Sequence, residues 1–173
     1  MPYKTPWART GEATPRSALP VTPAAPPAEA GDLLGLSVEL TGFDDVELVA
    51  TGATEIYRRF LAEAFPDVLP ELLAAWRSIA HLPDRQAAVR RDILADPKLG
   101  PFARAVLVLW YTATWNALPA TWSQAYGQHP DDVNRTFGLA YPEGLVWKTA
   151  NLHPGGAKPT GFGTWAFRPE DRA

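Results

Sequence analysis

The residue types that most often carry out catalysis are few in this sequence and widely separated. The chain of 173 residues contains no cysteine, which excludes disulfides, thiolate metal sites and a cysteine nucleophile within it. Its three histidines, His81, His129 and His153, show no HxxxH or HExxH spacing. Each is therefore interpreted as a surface or interface residue, and no metal site is predicted.

Paired carboxylates, which acid–base catalysis needs on one wall of a pocket, are not indicated either. Asp44 and Asp45 are adjacent, as are Asp131 and Asp132, so the side chains within each pair diverge. The first pair is better explained by a helix cap and the second by a turn or a further cap. No GxSxG, GxGxxG or GxxxxGK[ST] motif occurs. The expectation is a chain that is not a catalyst by itself and holds no cofactor of its own.

Composition limits the class of partner. With 46% hydrophobic residues, the chain can form one domain with a real core. Its net charge of -3 offers no basic field for nucleic acid. No apolar run is long enough for a membrane span, and no signal peptide is visible. The sequence as it stands predicts a cytoplasmic location, or a periplasmic one if a leader was removed or a partner directs export.

Hydrophobic periodicity predicts an all-α domain of about five helices over residues 31–126. Helices are expected, in chain order, over residues 32–40, 44–65, 70–80, 84–94 and 101–118. Asp32 is the expected cap of the first helix, and residues 122–126 can add a turn or two after the last. The helix over residues 101–118 is apolar on nearly every side, which indicates that its own bundle or a partner surrounds it.

The second helix has the clearest pattern. Asp44 and Glu47 are spaced as a capping box, and Pro66 closes the segment. Its predicted apolar face consists of Val46, Val49, Ala53, Ile56, Tyr57, Phe60 and Ala64. Its outer side is expected to carry Arg58, Arg59 and Glu63. One uninterrupted amphipathic helix is predicted.

Both ends of the chain differ from this domain. Residues 1–30 hold seven prolines and are interpreted as an extended Pro-rich arm, although composition alone favours a disordered tail. Residues 127–173 are rich in Gly, Pro and aromatic residues and predict an irregular tail with one short β-like run at residues 145–147. Such a tail suits lying along another protein and inserting its rings into pockets.

Three separated stretches, in this order, resemble one family. They are LSVELTGFDD at residues 36–45, VLVLWYTATWN at residues 106–116 and LVWKTANLHPGGAKPTGFGTW at residues 145–165. The first resembles the start, the second the late WY of an apolar helix, and the third the closing tail of the small subunits of bacterial FAD-dependent sugar and alcohol dehydrogenase complexes. These are the small partners of glucose, fructose and sorbitol dehydrogenases. The resemblance covers about residues 33–170.

The resemblance implies a non-catalytic small subunit. In that family, FAD and the catalytic histidine belong to a large glucose-methanol-choline-type subunit, which the small subunit helps to fold and stay soluble. A cytochrome subunit is a further partner that the resemblance allows. The residues expected to contact the partner are Trp7, Trp110, Tyr111, Trp147, His153, Pro159, Phe162, Trp165 and Phe167.

The sequence departs from the family in two places. It shows no twin-arginine signal, which bears on export. His153 stands where some members have a cysteine that bonds the large subunit, so packing would have to hold this complex. Two other functions stay open: a generic helical adaptor or regulator, and a stand-alone helical enzyme or ligand-binding domain whose Trp-rich tail lines a pocket.

Overall fold

The structure, a computed structural model, describes residues 27–154. This part of the chain is mostly helical, as predicted, and adds a two-stranded antiparallel sheet that the sequence did not predict. The helices are α1 (Pro27–Thr41), α2 (Asp45–Ala50), α3 (Thr54–Ala64), α4 (Val68–Ile79), α5 (Arg85–Ala88), α6 (Leu99–Thr112), α7 (Ala120–Tyr126) and α8 (Leu145–Thr149). A π-helical turn (Val89–Leu94) continues α5, and a 3-10 helix (Tyr141–Glu143) precedes α8. The strands are β1 (Thr114–Trp115) and β2 (Arg135–Thr136).

Helix α6 lies at the centre of the fold, packed against α1, α4, β1 and α8. Its Trp110 is buried, and the indole lies edge-on to Tyr57 of α3 with ring centroids 5.0 Å apart. The indole Nε1 donates to Ser37 Oγ of α1 at 2.9 Å. The apolar helix is therefore surrounded by the chain's own bundle, one of the two arrangements that its pattern allowed. None of the helices in residues 27–154 is long and apolar enough to span a membrane.

An aromatic cluster joins the helices to the sheet. Trp115 of β1 is fully buried and packs against Phe60, Phe65 and Phe102, with ring centroids 5.4, 5.0 and 5.8 Å away. Its Nε1 donates to Asp132 Oδ1 at 2.8 Å. Asp132, one of the two adjacent aspartates, therefore anchors the core indole to the loop before β2.

Two of the predicted helices have bounds within two residues of the expected ones. The helix over residues 70–80 is α4, which begins two residues earlier, and the one over residues 84–94 is α5 with its π-helical continuation. Asp84 caps α5, since its Oδ1 accepts from the Ala87 amide at 3.0 Å. The π-helical turn ends where the Ala95 amide donates to the Arg90 carbonyl at 3.1 Å.

The first helix starts earlier than predicted. It begins at Pro27, so Asp32 lies inside α1 rather than at its N-cap. Its carboxylate instead accepts from Arg77 Nε of α4 at 2.6 Å, a contact that no local pattern reveals. The predicted end is confirmed: Gly42 has φ +77° and its amide donates to the Val38 carbonyl at 2.9 Å.

The single helix predicted over residues 44–65 is wrong, because it is two helices. Its start is confirmed: Asp44 Oδ1 accepts from the Glu47 amide at 2.7 Å, and Glu47 Oε2 accepts from the Asp44 amide at 3.1 Å. The break comes at Gly52, whose φ of +67° cannot continue a right-handed helix. Thr51 Oγ1 accepts from the Ala53 amide at 3.1 Å and stabilises the turn into α3.

The break changes which side chains are buried. Val46 and Val49 of α2, predicted to face the core, are 72% and 55% exposed. Arg58 of α3, predicted to lie on the outside, is buried, and its guanidinium donates to both oxygens of Glu55 at 2.8 and 2.6 Å. This hydrogen-bonded pair lowers the pKa of the Glu55 carboxyl.

Helix α6 ends six residues before its predicted end at residue 118. Ala113 adopts a left-handed conformation with φ +52°, which ends the helix at Thr112. The Ala113 carbonyl accepts from the Phe137 amide at 2.8 Å, and Thr114 then pairs with Thr136 across the sheet. A partner 24 residues away in sequence therefore compensates for the strained conformation at Ala113.

The β-like run at residues 145–147 is helical, so that prediction is wrong. Residues 145–149 form α8, and the Gly144 carbonyl before it accepts from the Trp147 amide at 3.1 Å. Leu145 is buried in the same core as α6. Burial of one leucine and local helical hydrogen bonds outweigh the weak strand propensity of a three-residue run.

A pH prediction follows from Tyr57, which is buried between Trp110 and Phe137. Burial raises the pKa of the Tyr57 phenol, because the charged form loses its hydration. The stability that the buried phenol contributes is fully present below the unfolded pKa of about 10. It declines above that pH, because the unfolded chain then loses the phenol proton while the folded protein still holds it. We expect about 1.4 kcal/mol of stability to be lost by pH 11 through this residue.

Urea denaturation at pH 8 and pH 11 measures this loss, with Tyr57→Phe as the comparison. The variant should lose less stability than the wild type between the two pH values. An equal loss in both proteins would show that other groups control the alkaline transition.

Candidate functional site

An open groove of about 440 Å³ lies between α2 and the segment that contains α8. We call it the α2–α8 groove. Its apolar walls consist of Phe43, Val46, Ala50, Pro142, Leu145, Trp147, Leu152 and Pro154. Its polar lining consists of Glu47, Thr51, Glu143, Lys148 and His153. The mixture of apolar walls with a few charges is typical of a site that binds another molecule.

The wall on the α2 side rests on α1 and α6. Phe43 precedes the capping box of α2 and lies edge-on to Tyr111, with ring centroids 6.3 Å apart. The Tyr111 hydroxyl donates to the Thr41 carbonyl at the end of α1, at 3.1 Å. The groove wall is therefore held by the core helix rather than by the short helix alone.

The wall on the α8 side is equally well held. Trp147 Nε1 donates to the Tyr141 carbonyl at 2.9 Å, and the two rings lie edge-on at 5.4 Å. The Leu152 amide donates to the Trp147 carbonyl at 2.8 Å, which turns the chain back along the groove. At Gly144, a Cβ would lie 2.8 Å from the Tyr111 carbonyl oxygen, so glycine permits α8 to approach α6 this closely.

One ion pair bridges the two walls. Lys148 Nζ of α8 donates to Glu47 Oε1 of α2 and lies 5.3 Å from the centre of the Phe43 ring. The hydrogen bond from Lys148 lowers the pKa of the Glu47 carboxyl, and the Asp44 amide acts in the same direction. Both side chains are solvent-accessible, so the ion pair contributes little to the stability of the fold and mainly orients α2 and α8 relative to each other.

The structure brings three of the predicted contact residues to this region. Trp147, half-buried, and His153, exposed, line the groove, and Tyr111 supports it from behind Phe43. Trp110, the neighbour of Tyr111, points the other way into the core. Trp7, Pro159, Phe162, Trp165 and Phe167 lie outside the described residues.

The exposed aliphatic side chains at the groove were not identified from the sequence. Val46 is 72% and Leu152 61% exposed, and Val49 extends the apolar surface along α2. The sequence does contain a feature that allows the two valines to be exposed. Gly52 follows Asp44 of the capping box by only eight residues, which fits a short helix that ends there as well as a long one. Nothing in the sequence distinguishes Leu152 from a core leucine.

The charged or titratable side chains in the groove lining are Glu47, Glu143, Lys148 and His153. His153 is the one histidine in its lining. His129 lies elsewhere, packed between Phe65 and Trp122 with ring centroids 4.9 and 5.8 Å away. Within residues 27–154, no group of three or more His, Cys, Asp or Glu side chains is placed to hold a metal ion. The groove combines an apolar surface with the Glu47–Lys148 ion pair that joins its two walls.

No protein-family model, curated protein or solved structure matches the chain.

Proposed function

We propose that the chain is a non-catalytic small subunit of an FAD-dependent sugar or alcohol dehydrogenase complex, and that the α2–α8 groove contacts the large glucose-methanol-choline-type subunit. One observation carries the proposal: the three stretches that resemble this family meet at the groove. Residues 36–45 supply Phe43, residues 106–116 supply Tyr111 behind it, and the described part of residues 145–165 supplies Trp147, Leu152 and His153.

The exposed side chains at the groove support the same conclusion. Burying a valine or leucine side chain fully contributes about 1.5–3 kcal/mol, and Val46, Val49 and Leu152 are all largely exposed in the single chain. Interfaces between permanent subunits are larger than those of transient complexes and more apolar than the rest of the protein surface. In this arrangement the large subunit holds FAD and the reacting substrate, and the small subunit supplies apolar contact area.

The direct test is co-expression of the tagged chain with a flavoprotein dehydrogenase encoded beside it. The tagged chain should retain a protein with flavin absorbance, and each subunit should be more soluble with the other than alone. A stable monomer that retains no flavoprotein, or that turns over a substrate by itself, would contradict the proposal.

The groove itself is tested by Val46→Asp. Val46 is the second residue of α2, where a carboxylate suits the positive end of the helix, so the helix should be unharmed. Burying this charge in an apolar interface should weaken the complex by about 2 kcal/mol or more, roughly 30-fold in Kd. Isothermal titration or surface plasmon resonance with the purified large subunit measures the change.

The matched control is Val133→Asp. Val133 is also mostly exposed, at 56%, but does not line the groove. It should leave the Kd within about twofold of the wild type, as expected for a site outside an interface. Equal weakening by both variants would point to charge alone, and no weakening by Val46→Asp would remove the groove from the interface.

A further inference from the structure

Among residues 27–154, the most exposed large apolar side chain is Leu139, which lies away from the α2–α8 groove on the turn after β2. Leu139 is 90% exposed, whereas Phe137 and Ala140 on either side of it are buried. The Phe137 amide donates to the Ala113 carbonyl at 2.8 Å, and the Ala140 amide donates to the Phe137 carbonyl at 2.9 Å. The turn is thus anchored at both ends, and Leu139 projects from a fixed backbone. A pre-organised apolar side chain loses little entropy on binding.

An arginine, Arg135, lines a surface cleft together with Leu139. The Arg135 guanidinium carbon is 5.0 Å from the centre of the Phe137 ring and 5.6 Å from that of Phe60. Within residues 27–154 this side chain forms no ion pair. The guanidinium is in cation–π contact with both rings, and Arg135 is exposed to solvent. Such an arginine is pre-organised to form an ion pair with a carboxylate from another molecule.

The other two charged side chains that line this cleft of about 350 Å³ have opposite charges. Arg59 Nε lies 3.5 Å from Glu63 Oε1, and both line the cleft with Arg135. The excess is therefore one positive charge, at Arg135, beside apolar walls that include Ile56. A polyanion such as nucleic acid would meet the Glu63 carboxylate, whereas a protein surface with one carboxylate would be complementary.

We propose that Leu139 and Arg135 form a second docking surface, on which Leu139 enters an apolar pocket of the partner and Arg135 pairs with a carboxylate at the rim of that pocket. The identity of the partner as the large flavoprotein subunit rests on the proposed function. This surface is separate from the α2–α8 groove, so a complex that uses both would grip the small subunit at two places.

The experiment uses the co-expressed complex and its purified subunits. Replacing Leu139→Ala should weaken binding about tenfold or more, as for the central anchors of other interfaces. Arg135→Gln should weaken it about tenfold and reduce its dependence on salt, whereas Arg135→Lys should keep the salt dependence. Arg90→Gln, which removes another exposed arginine without an ion pair in residues 27–154, is the control and should bind as the wild type does.

A photo-crosslink locates the partner surface. Leu139→p-benzoylphenylalanine should crosslink to a segment of the large subunit that contains Asp or Glu beside apolar residues, and Gln124→p-benzoylphenylalanine should not. A crosslink to a second copy or to the chain's own termini would overturn the proposal, as would binding to a nucleic acid in place of a protein.

Failure of this surface is distinguishable from failure of the proposed function. If the wild-type complex forms and both Leu139→Ala and Arg135→Gln bind as tightly as the wild type, this surface alone is excluded. If no flavoprotein is retained by the wild-type chain, both proposals fall. Unchanged thermal unfolding of each variant would show that the loss of binding is not a loss of fold.

Discussion

Replacing Trp115→Ala is expected to lower the free energy of unfolding by about 3–5 kcal/mol. The indole is fully buried among Phe60 of α3, Phe65 directly after α3 and Phe102 of α6. Its removal leaves a cavity that these rings cannot fill without moving the helices that hold them. Since small domains are stable by only about 5–15 kcal/mol, this loss removes a large fraction of the protein's stability.

The loss has two parts that a second variant separates. Trp115 Nε1 donates to Asp132 Oδ1 at 2.8 Å, and the same carboxylate oxygen accepts from the Leu118 amide at 3.1 Å. Trp115→Phe keeps most of the packing and removes the indole donor, so it should cost about 1–3 kcal/mol. Urea denaturation monitored by circular dichroism gives both values. If Trp115→Ala costs less than Trp115→Phe, the cluster is not the centre of the core.

Gly100→Ala is expected to destabilise the protein by about 1–3 kcal/mol, although alanine is the better helix former. Gly100 is the second residue of α6 and faces the end of the π-helical turn. A Cβ at this position would lie 2.5 Å from the Leu94 carbonyl oxygen and 3.0 Å from Arg104 Nη1. The carbonyl also accepts from Arg104 Nη2 at 2.8 Å, so the backbone cannot withdraw without breaking that bond.

Gly31→Ala is the matched control for this prediction. Gly31 lies within α1 and is exposed, and a Cβ added there would meet no heavy atom from another part of the fold within 4 Å. The substitution should stabilise the protein by about 0.5–1 kcal/mol, because alanine restricts the unfolded chain and favours the helix. Thermal and urea unfolding of both variants measures the difference in sign. Stabilisation by both would mean that α6 can move away from the π-helical turn.

Local chemistry predicts the ends of several elements. The Asp44–Glu47 capping box starts α2, Gly42 ends α1 with a positive φ, and Asp84 caps α5. These features depend on residues within four positions of each other, so their hydrogen bonds need no distant partner. The apolar stripe of α4 is predictable for the same reason, since spacing alone places its side chains on one face.

Sequence patterns mispredict the features that depend on distant partners. Ala113 ends α6 because its carbonyl receives the Phe137 amide. Asp32 bonds Arg77 rather than capping a helix. Residues 145–147 are helical although their composition favours a strand. For Ala113 and Asp32 a contact with a distant residue decides the conformation, and for residues 145–147 the burial of Leu145 in the core contributes; periodicity carries no information about either.

At the candidate site, too, some features follow from the local sequence and others only from the tertiary structure. The sequence indicates Tyr111 and Trp147 as contact residues, but it indicates Trp110 with them, and the structure places that indole in the core. Adjacent residues on a helix point about 100° apart, so one of the pair must face away from the other's surroundings. The spacing of Val46 continues that of α3 and predicts a core position, but the break at Gly52 removes the continuity.

The sequence by itself determined a mostly helical chain with capped helices and apolar faces, because these follow from short-range hydrogen bonding and from the 3.6-residue period. The tertiary structure alone decided which apolar residues stay exposed, where the stretches at residues 36–45, 106–116 and 145–154 meet, and how Arg135 is held beside Leu139. The physical reason is that burial is a property of the assembled fold: a valine or an arginine has the same local pattern whether or not another helix covers it.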